Sequence, residues 1–577
     1  MRNFAEHTSM HGIGRVILTK KPEKRVAWAI VFVSAWALFA LQLTSVLTKY
    51  FEYSKKTTAQ LVAGGAPFPA ITLCNLQSLD FYVILKFLKD REESKSNSNI
   101  VLNQPVGINR PLPRHGELLL DAFRKFWDRN EKTEWDKSDL DAVLSRTSLK
   151  SNLPKDVLDE IAVKQQEFIV KCNYGNSNCN LTEITDSHFL KCFTFEPPNI
   201  RNTSFENFQS LSEGIASGLS VTVFTGIQDV EHNYTNIFVP GVYEKGSPLS
   251  GSSGVRVVIH PPGTEPFPLT EGQDVPPGYQ ASIGIVPERR IRLGKPYGLC
   301  ARRNRYQHNY VDKLRGSDTE EREPYRKVSC ERMCMQQKVI KECNCFDDTL
   351  PDMGNVECND AVCWLVNKND TQCNDIQKQK VVACRRIASI EECAMNDSCN
   401  ATLIADTLKN IRCADNVTNR LMTDLEALSK CKCYAPCDEF RYYTLYSLAK
   451  WPSSGYERDY VLSDIFTEER FMSRFPEDKR EFYETSINRT EFAKVNVYIT
   501  DSNVLEIIEE PAIILTQLIS DVGGQLGLWI GVSVITVSEV IETILTIATS
   551  GFRKLYRKLK VRVENPEEEI QTGSSLV

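Results

Sequence analysis

The sequence predicts a two-span α-helical membrane protein with a large disulfide-rich α+β ectodomain. Three observations predict it. The longest hydrophobic runs of the 577-residue chain lie near its two ends, all 19 cysteines lie between those runs, and so does every N-x-S/T sequon. Bulk figures conceal this arrangement: 42% hydrophobic, 25% charged, net charge −6. Such mild acidity argues against a nucleic acid partner, because a phosphate-binding protein usually carries a basic excess.

Residues 1–25 form an N-terminal tail too short for a domain. It contains His11-Gly12 followed by a short apolar stretch, Ile13 to Leu18, and composition alone reads it as disordered. Transmembrane helix 1 occupies 26–49. From Val26 to Thr48 there is no charge in 23 residues, and a helix of that length rises about 35 Å, enough to cross a hydrocarbon core of roughly 30 Å. A secretory signal peptide has a shorter apolar core followed by a small-residue cleavage site. Here a polar-leaning tail precedes a longer core, which favours an uncleaved span.

The ectodomain covers 50–511. Pro67 to Cys74 reads as an extended entry segment with proline fixing its start. Helices are expected at 79–92, 116–129 and 154–170. A strand is expected over Gly254 to His260, which is short and β-branched, and Pro261 to Pro277 is rich in turn residues. Residues 299–438 are cysteine-dense, with 15 of the 19 cysteines. In that region Cys330-x3-Cys334 is answered by Cys431-x-Cys433-x3-Cys437, so two stretches could run antiparallel and be joined by rungs of disulfide. Spacing leaves the pairings open. Zinc is a poor reading of Cys343-x-Cys345, which lacks the usual gap of two to four residues. The part from 346 to 430 reads as a disulfide-tied, glycosylated surface elaboration. The candidate glycosylation sites are Asn180, Asn202, Asn233, Asn369, Asn396, Asn400, Asn416 and Asn488. Confinement of every cysteine to this part of the chain fits an oxidising compartment.

The second membrane segment, 512–549, has a composition that a lipid-facing anchor does not need. Glycine costs about 1 kcal/mol of helix propensity relative to alanine, yet four stand at Gly523, Gly524, Gly527 and Gly531. A repeat every four residues lets other helices approach closely. Alternatively, the glycines let the backbone leave the helix and turn carbonyls toward ions, which a membrane tolerates only around a cavity. Glu539 and Glu542 are three apart on one side and expensive in hydrocarbon; they face water, a cation or another protein group, or lie at the inner headgroup level. Lys20, Lys21, Lys24 and Arg25 precede the first run, and Arg553, Lys554, Arg557, Lys558 and Lys560 follow the second. Both termini, including the tail 550–577, are therefore expected in the cytoplasm. Two spans cannot enclose an ion path alone, so conduction requires an oligomer. A receptor or adhesion protein with tightly associating anchors would share much of this pattern.

Several motifs in order resemble the degenerin/epithelial sodium channel superfamily, which includes acid-sensing and peptide-gated channels. The strongest is Gly523-Gly-Gln-Leu-Gly-Leu-Trp-Ile-Gly-Val-Ser-Val-Ile-Thr-Val-Ser-Glu539. Supporting it are His11-Gly12, Phe68-Pro-Ala-Ile-Thr-Leu-Cys-Asn75, Cys192-Phe-Thr-Phe195, Val257-Val-Ile-His260, Tyr325-Arg-Lys-Val-Ser-Cys330 and Trp451-Pro452. The resemblance implies a plasma-membrane channel subunit, not an enzyme, without cofactor or metal, with Na⁺ as the permeant ion and amiloride-type compounds as blockers. It implies a homotrimer, or a heterotrimer with related subunits, in the lipid bilayer. Gly531-Val532-Ser533 would be the selectivity filter, with Asp521, Gly527, Glu539 and Glu542 along the pore and its mouth. Valine stands at the middle filter position, where family members often have alanine. His11-Gly12 would be a gating motif rather than disordered tail, and Tyr53 with Tyr297 an aromatic gating contact. The implied disulfides are Cys74–Cys192, Cys172–Cys179, Cys300–Cys437, Cys330–Cys433 and Cys334–Cys431, the last three stiffening a thumb-like domain. The stimulus stays open: protons, a peptide or other extracellular ligand, mechanical tethering or constitutive opening. The ectodomain histidines His115, His188, His232, His260 and His308 form no cluster and lend no support to a histidine acid switch. The alternative is a non-conducting two-span receptor or an obligate modulatory subunit.

Overall fold

The computed structural model describes residues 12–63, 67–78, 162–186, 188–197, 213–226, 252–302, 325–347, 349–351, 382–384, 401–456, 471–477 and 491–533, with shorter stretches at 159, 479–480 and 536–553. The chain divides into two compact units. One comprises residues through Thr57, Lys295–Gly298 and Glu509 onward; the other comprises Thr58–Gly294 and Leu299–Ile508.

In the first unit, helix α1 (Ile13–Leu18) precedes the 30-residue helix α2 (Pro22–Phe51), which begins with proline in its first turn. At 1.5 Å per residue α2 is about 45 Å long. Among the described residues it is the one helix long and apolar enough to cross a membrane. Its apolar surface stays open, with Val33 65% and Leu41 68% exposed, as suits a helix whose solvent is lipid or another subunit.

The second unit is built on two sheets. In chain order its strands are β1 (Lys55–Ala63), β2 (Ala70–Asn75), β3 (Ile169–Tyr174), β4 (Ser177–Asn178), β5 (Leu181–Asp186), β6 (Leu190–Phe195), β7 (Leu219–Phe224), β8 (Val255–His260), β9 (Gln273–Val275) and β10 (Tyr279–Ile291). Two-residue strands β11 (Cys300–Ala301), β12 (Cys345–Phe346), β13 (Val382–Ala383) and β14 (Ala435–Pro436) pair as β11–β14 and β12–β13. Then come β15 (Asp438–Lys450), β16 (Phe492–Ile499) and β17 (Asn503–Pro511). The larger sheet runs β1-β17-β10-β16-β7-β3-β4, with β15 antiparallel along the other edge of β10. Against β10, β16 and then β17 run parallel. The smaller sheet runs β5-β6-β2-β8-β9. Ile71, Leu73 and Phe193 of the smaller sheet join Val221, Ile283 and Val495 of the larger in one core. Strand β2 is buried along all six residues, Thr72 and Asn75 included, and falls within the segment expected to be extended.

Of the helices expected near 79–92 and 116–129, neither lies within the described residues. Most of the first half of the one expected over 154–170 lies outside the described residues. Among those described, Asp159 and Gln165–Phe168 are helical, and its C-terminal end is corrected, because Ile169 and Val170 already belong to β3. Ile169 is buried in the sheet core, and a β-branched pair is better placed on a pleated surface than in a helix.

Seven disulfides join described cysteines. Besides Cys74–Cys192 and Cys172–Cys179 they are Cys300–Cys437, Cys330–Cys433, Cys334–Cys431, Cys343–Cys413 and Cys345–Cys384. Helix α3 (Lys327–Cys343) supplies three of these cysteines. Its partners descend in number as its own ascend, so the rungs along α3 have antiparallel sense. Residues read as a surface elaboration contain helix α4 (Ala401–Thr423), whose Ala414, Val417 and Leu421 pack with Met335 and Val339 of α3. Sequons Asn180 and Asn416 lie among the described residues and are exposed; the other six lie outside them.

His260 is fully buried at the end of β8. Its Nε2 lies 2.9 Å from Thr72 Oγ1, and Nδ1 lies 3.2 Å from Thr264 Oγ1 and from the Pro261 carbonyl. Burial first, and the nearby Arg326 charge second, pull its pKa down from 6.5 to about 3. The ring is therefore neutral in the folded ectodomain at ordinary pH. An unfolded chain takes up this proton below about pH 6.5 while the folded one does not, so stability falls through the window from 6.5 to about 3. At pH 5 the loss from this one group is about 2 kcal/mol. Thermal unfolding of the purified chain at neutral pH and at pH 5 should show it, and His260→Asn should lessen the difference between the two pH values. Equal acid sensitivity in both proteins would rule out His260 as its source.

Candidate functional site

The segment 512–549, expected to span the membrane a second time, is not one continuous helix. Helix α5 (Leu515–Gln525) runs into a single π-helical stretch, Leu526–Ile530, and the helix then stops. Gly531 ends it in a left-handed conformation, φ 72° and ψ 25°. The Gly531 N–H reaches the Gly527 carbonyl at 3.2 Å and the Val532 N–H reaches the Leu526 carbonyl at 3.2 Å. This is the way a helix closes its last turn, and only glycine takes that conformation without steric cost. Isolated π turns of this kind often mark functional positions.

Among the described residues helix is present again at Thr536, and Ser533 caps it. The Ser533 Oγ accepts from the Thr536 N–H at 3.3 Å, while Thr536 Oγ1 accepts from the Ser533 N–H at 3.1 Å. The Val537 N–H bonds the Ser533 carbonyl at 3.0 Å. This reciprocal exchange is a capping box with threonine in the role usually filled by glutamate or glutamine. Thr536 is 1% exposed. Gly531, Val532 and Ser533 thus form a non-helical tract with a stated physical need at each end: left-handed backbone at one, a side-chain cap at the other. The intervening valine is half-buried and Ser533 is exposed.

Contacts within this unit hold the segment to α2. Trp529 Nε1 donates to Gln42 Oε1 at 2.8 Å. A polar pair between membrane helices contributes on the order of 1 kcal/mol. Gln42→Leu and Trp529→Phe should therefore each weaken packing of the two segments by that amount, and the double variant should cost little more than either. Thermal stability of the purified chain tests this double-mutant cycle; strictly additive losses would argue that the two side chains act separately.

Gly523, Gly524 and Gly527 make no close contact among the described residues, because a Cβ added at any of them would meet none of these within 4 Å. The glycine face is open. Asp521, half-buried on α5, accepts from Gln517 Nε2 at 3.3 Å. Glu542 is helical and exposed; Glu539 lies outside the described residues.

His11 also lies outside them. Gly12 lies within them, takes φ 88° and begins α1, and a Cβ there would come within 3.1 Å of Phe32 Cδ2 on α2. Close approach and positive φ both require glycine at this position. Tyr53 follows α2 with φ 50°. Its ring meets that of Tyr297 edge to face, centroids 5.5 Å apart at 88°, a favoured aromatic geometry. In the same unit the Ser54 carbonyl accepts from the Ala512 N–H at 2.9 Å, and Lys55 pairs with Glu509 at 2.6 Å. Composition and spacing assign no role to Gln42, Trp529 or Thr536, although the last two stand within the glycine-rich motif. Of these only Thr536 had a sequence signal, the Ser-x-x-Thr spacing of a helix start.

Comparison with known proteins identifies the family of the chain. A family model described as amiloride-sensitive sodium channel matches residues 4–543. The chain is 23% identical over 586 residues to the FMRFamide-activated amiloride-sensitive sodium channel of Cornu aspersum, covering 94% of this chain and 82% of that one. It is 23% identical over 631 residues to the epithelial sodium channel subunit alpha of Xenopus laevis, covering 98% and 84%. With degenerin deg-1 of Caenorhabditis elegans it shares 27% over 421 residues, spanning 71% of this chain but only 43% of that protein. The chain belongs to the amiloride-sensitive sodium channel family, within the degenerin/epithelial sodium channel superfamily, whose members are gated cation channel subunits and not enzymes.

Proposed function

We propose that the chain spans the plasma membrane twice, with both termini cytoplasmic, and assembles as a trimer with itself or with related subunits. The trimer conducts mainly Na⁺ and is blocked by amiloride-type compounds. The observation that carries this reading is the interruption of the second segment at Gly531-Val532-Ser533. A lipid bilayer tolerates backbone outside a helix only where it lines a cavity or is covered by protein. Three copies of the tract would surround a partly dehydrated cation with carbonyls and hydroxyls, and cavity size with field strength would set selectivity. The open glycine face offers neighbouring copies a close approach. Asp521 and Gly527 lie on the outer side of the tract, Glu539 and Glu542 toward the cytoplasmic mouth, where carboxylates concentrate cations.

An extracellular stimulus opens it. The chain runs directly from α2 into β1 and from β17 into α5, so a change in the ectodomain sheet reaches both membrane segments through the backbone. Tyr53 with Tyr297, and His11 with Gly12, are the gating elements at the two membrane faces. The FMRFamide-activated relative makes a peptide the first stimulus to apply, and protons the second. Glycans at the eight sequons complete the ectodomain.

Voltage clamp of cells expressing the chain, alone and with related subunits, tests the reading while peptides, pH and amiloride are varied. Amiloride-sensitive Na⁺ current whose selectivity changes with Ser533 substitution is the expected result. Surface expression without current under every condition would assign the chain instead to the non-conducting class.

A further inference from the structure

A cavity of ≈890 Å³ lies on the polar face of the larger sheet, wholly within the ectodomain unit. Its floor is made of two cross-strand rows. Thr222 of β7 pairs with Lys494 of β16 on one side and with Lys171 of β3 on the other. Two residues earlier, Ser220 pairs in the same manner with Asn496 and Asn173. Residues directly opposite, or two apart on one strand, share a face. The reverse face carries Val221, Val223, Val495 and Val497, all in the core. Trp451, Tyr456 and Phe471 add aromatic surface to the cavity.

Charge is what singles this cavity out. Two lysines stand in one row across three strands, about 10 Å apart at the backbone, close enough for both ammonium groups to reach one guest. Among the described residues that line the cavity none is aspartate or glutamate. Neither lysine forms an ion pair among the described residues. Burial, and secondly the charge of Lys171, push the Lys494 ammonium below the usual lysine range. Arg474 also lines the cavity, but its guanidinium donates to the Ile169 and Gln166 carbonyls at 2.9 and 3.3 Å and so fixes the rim. Lys494 is half-buried and Lys171 exposed, and a partly desolvated ammonium such as that of Lys494 gains most from an anion. The aromatic groups suit an apolar body, and the volume falls in the range of small-molecule sites, roughly 300–1,000 Å³.

We propose that this cavity binds a small organic anion, a carboxylate or phosphate on an aromatic or apolar body, with Lys171 and Lys494 holding the anionic group above Thr222. The site lies in the ectodomain sheet and is independent of the pore reading.

Pyridoxal phosphate probes it on the purified full-length chain. This aromatic anion carries an aldehyde that condenses with a neutral amine, losing water, and borohydride reduces the imine to a stable secondary amine that peptide mapping locates. Lys494 should be labelled well above the exposed Lys432 and Lys450. Phenyl phosphate or phenylacetate should protect that position and benzylamine should not, and the stronger protector identifies the headgroup. Lys171→Met should raise the concentration needed to protect Lys494 by about tenfold, as expected for losing one charge-assisted contact, whereas Lys171→Arg should largely preserve it. Labelling no greater than at the exposed lysines, or unaffected by either anion, would overturn the proposal. So would complete resistance of both lysines to the reagent, which would show the cavity filled by protein, such as a carboxylate from a neighbouring copy.

Discussion

Replacing Gly531 by valine should leave the chain at the cell surface and remove at least about nine-tenths of its cation current, since a penalty near 1.4 kcal/mol already shifts a population tenfold. Gly531 stands at φ 72°, where an ordinary L-residue costs roughly 1–2 kcal/mol and a β-branched one more. The helix above it can relieve that strain only by continuing, which would abolish the tract between Gly531 and Ser533. Gly531→Ala should give an intermediate loss. At the other end Ser533→Ala removes the cap of the resumed helix, about 1 kcal/mol, whereas Ser533→Thr retains an oxygen for the Thr536 N–H. Current under voltage clamp, normalised to surface-biotinylated protein, separates these cases. Wild-type current and selectivity in the Gly531→Val chain would show that the break has no part in conduction.

Glu167→Gln should destabilise the ectodomain by up to about 3–5 kcal/mol, the range for removing one charge of a buried ion pair. Glu167 Oε2 and Lys479 Nζ are 2.5 Å apart, with side chains only 9% and 4% exposed. The pair ties the turn before β3 to the segment around Phe475, whose ring lies 5.4 Å from the same ammonium. Removing both charges is another matter. Glu167→Leu combined with Lys479→Met should recover most of the loss, because a packed apolar pair of similar volume escapes the desolvation cost. Thermal unfolding of the three purified chains reads this directly. If the double variant proves no more stable than Glu167→Gln, the residues act through shape or through other partners rather than as a charge pair.

The sequence carried much of the architecture and less of the site. Helix α2 was legible because 23 uncharged residues have one stable solution in lipid. Strands β2 and β8 were legible because buried β-branched runs between turn residues resemble little else. The helix expected across 154–170 overran its C-terminal end because charge-rich windows do not show where burial begins, and Ile169 and Val170 are claimed by the sheet. Helix α4 had a readable signal, the buried Ile411, Ala414, Val417 and Leu421 spaced three, three and four apart, but it lay among cysteines and sequons that suggested loop. In the second segment, glycine content pointed to something other than an anchor. It could not tell the open glycines 523, 524 and 527 from the left-handed one at 531, since that distinction is a backbone angle. The Ser-x-x-Thr spacing from 533 to 536 was the one local mark of a second helix start.

Stopping a helix inside a membrane also stops the alignment of its peptide dipoles. The stretch that ends at Gly531 gathers there the partial negative charge of its last carbonyls, equivalent to about half an elementary charge. In a threefold assembly the three ends together would present about one and a half negative charges at a single level, with no ionisable side chain involved. Such a field would not vary with pH. A cation would meet the same attraction there whatever the proton concentration outside, so any acid sensitivity of the current has to arise in groups that titrate, whether carboxylates along the conduction path or side chains in the moving ectodomain.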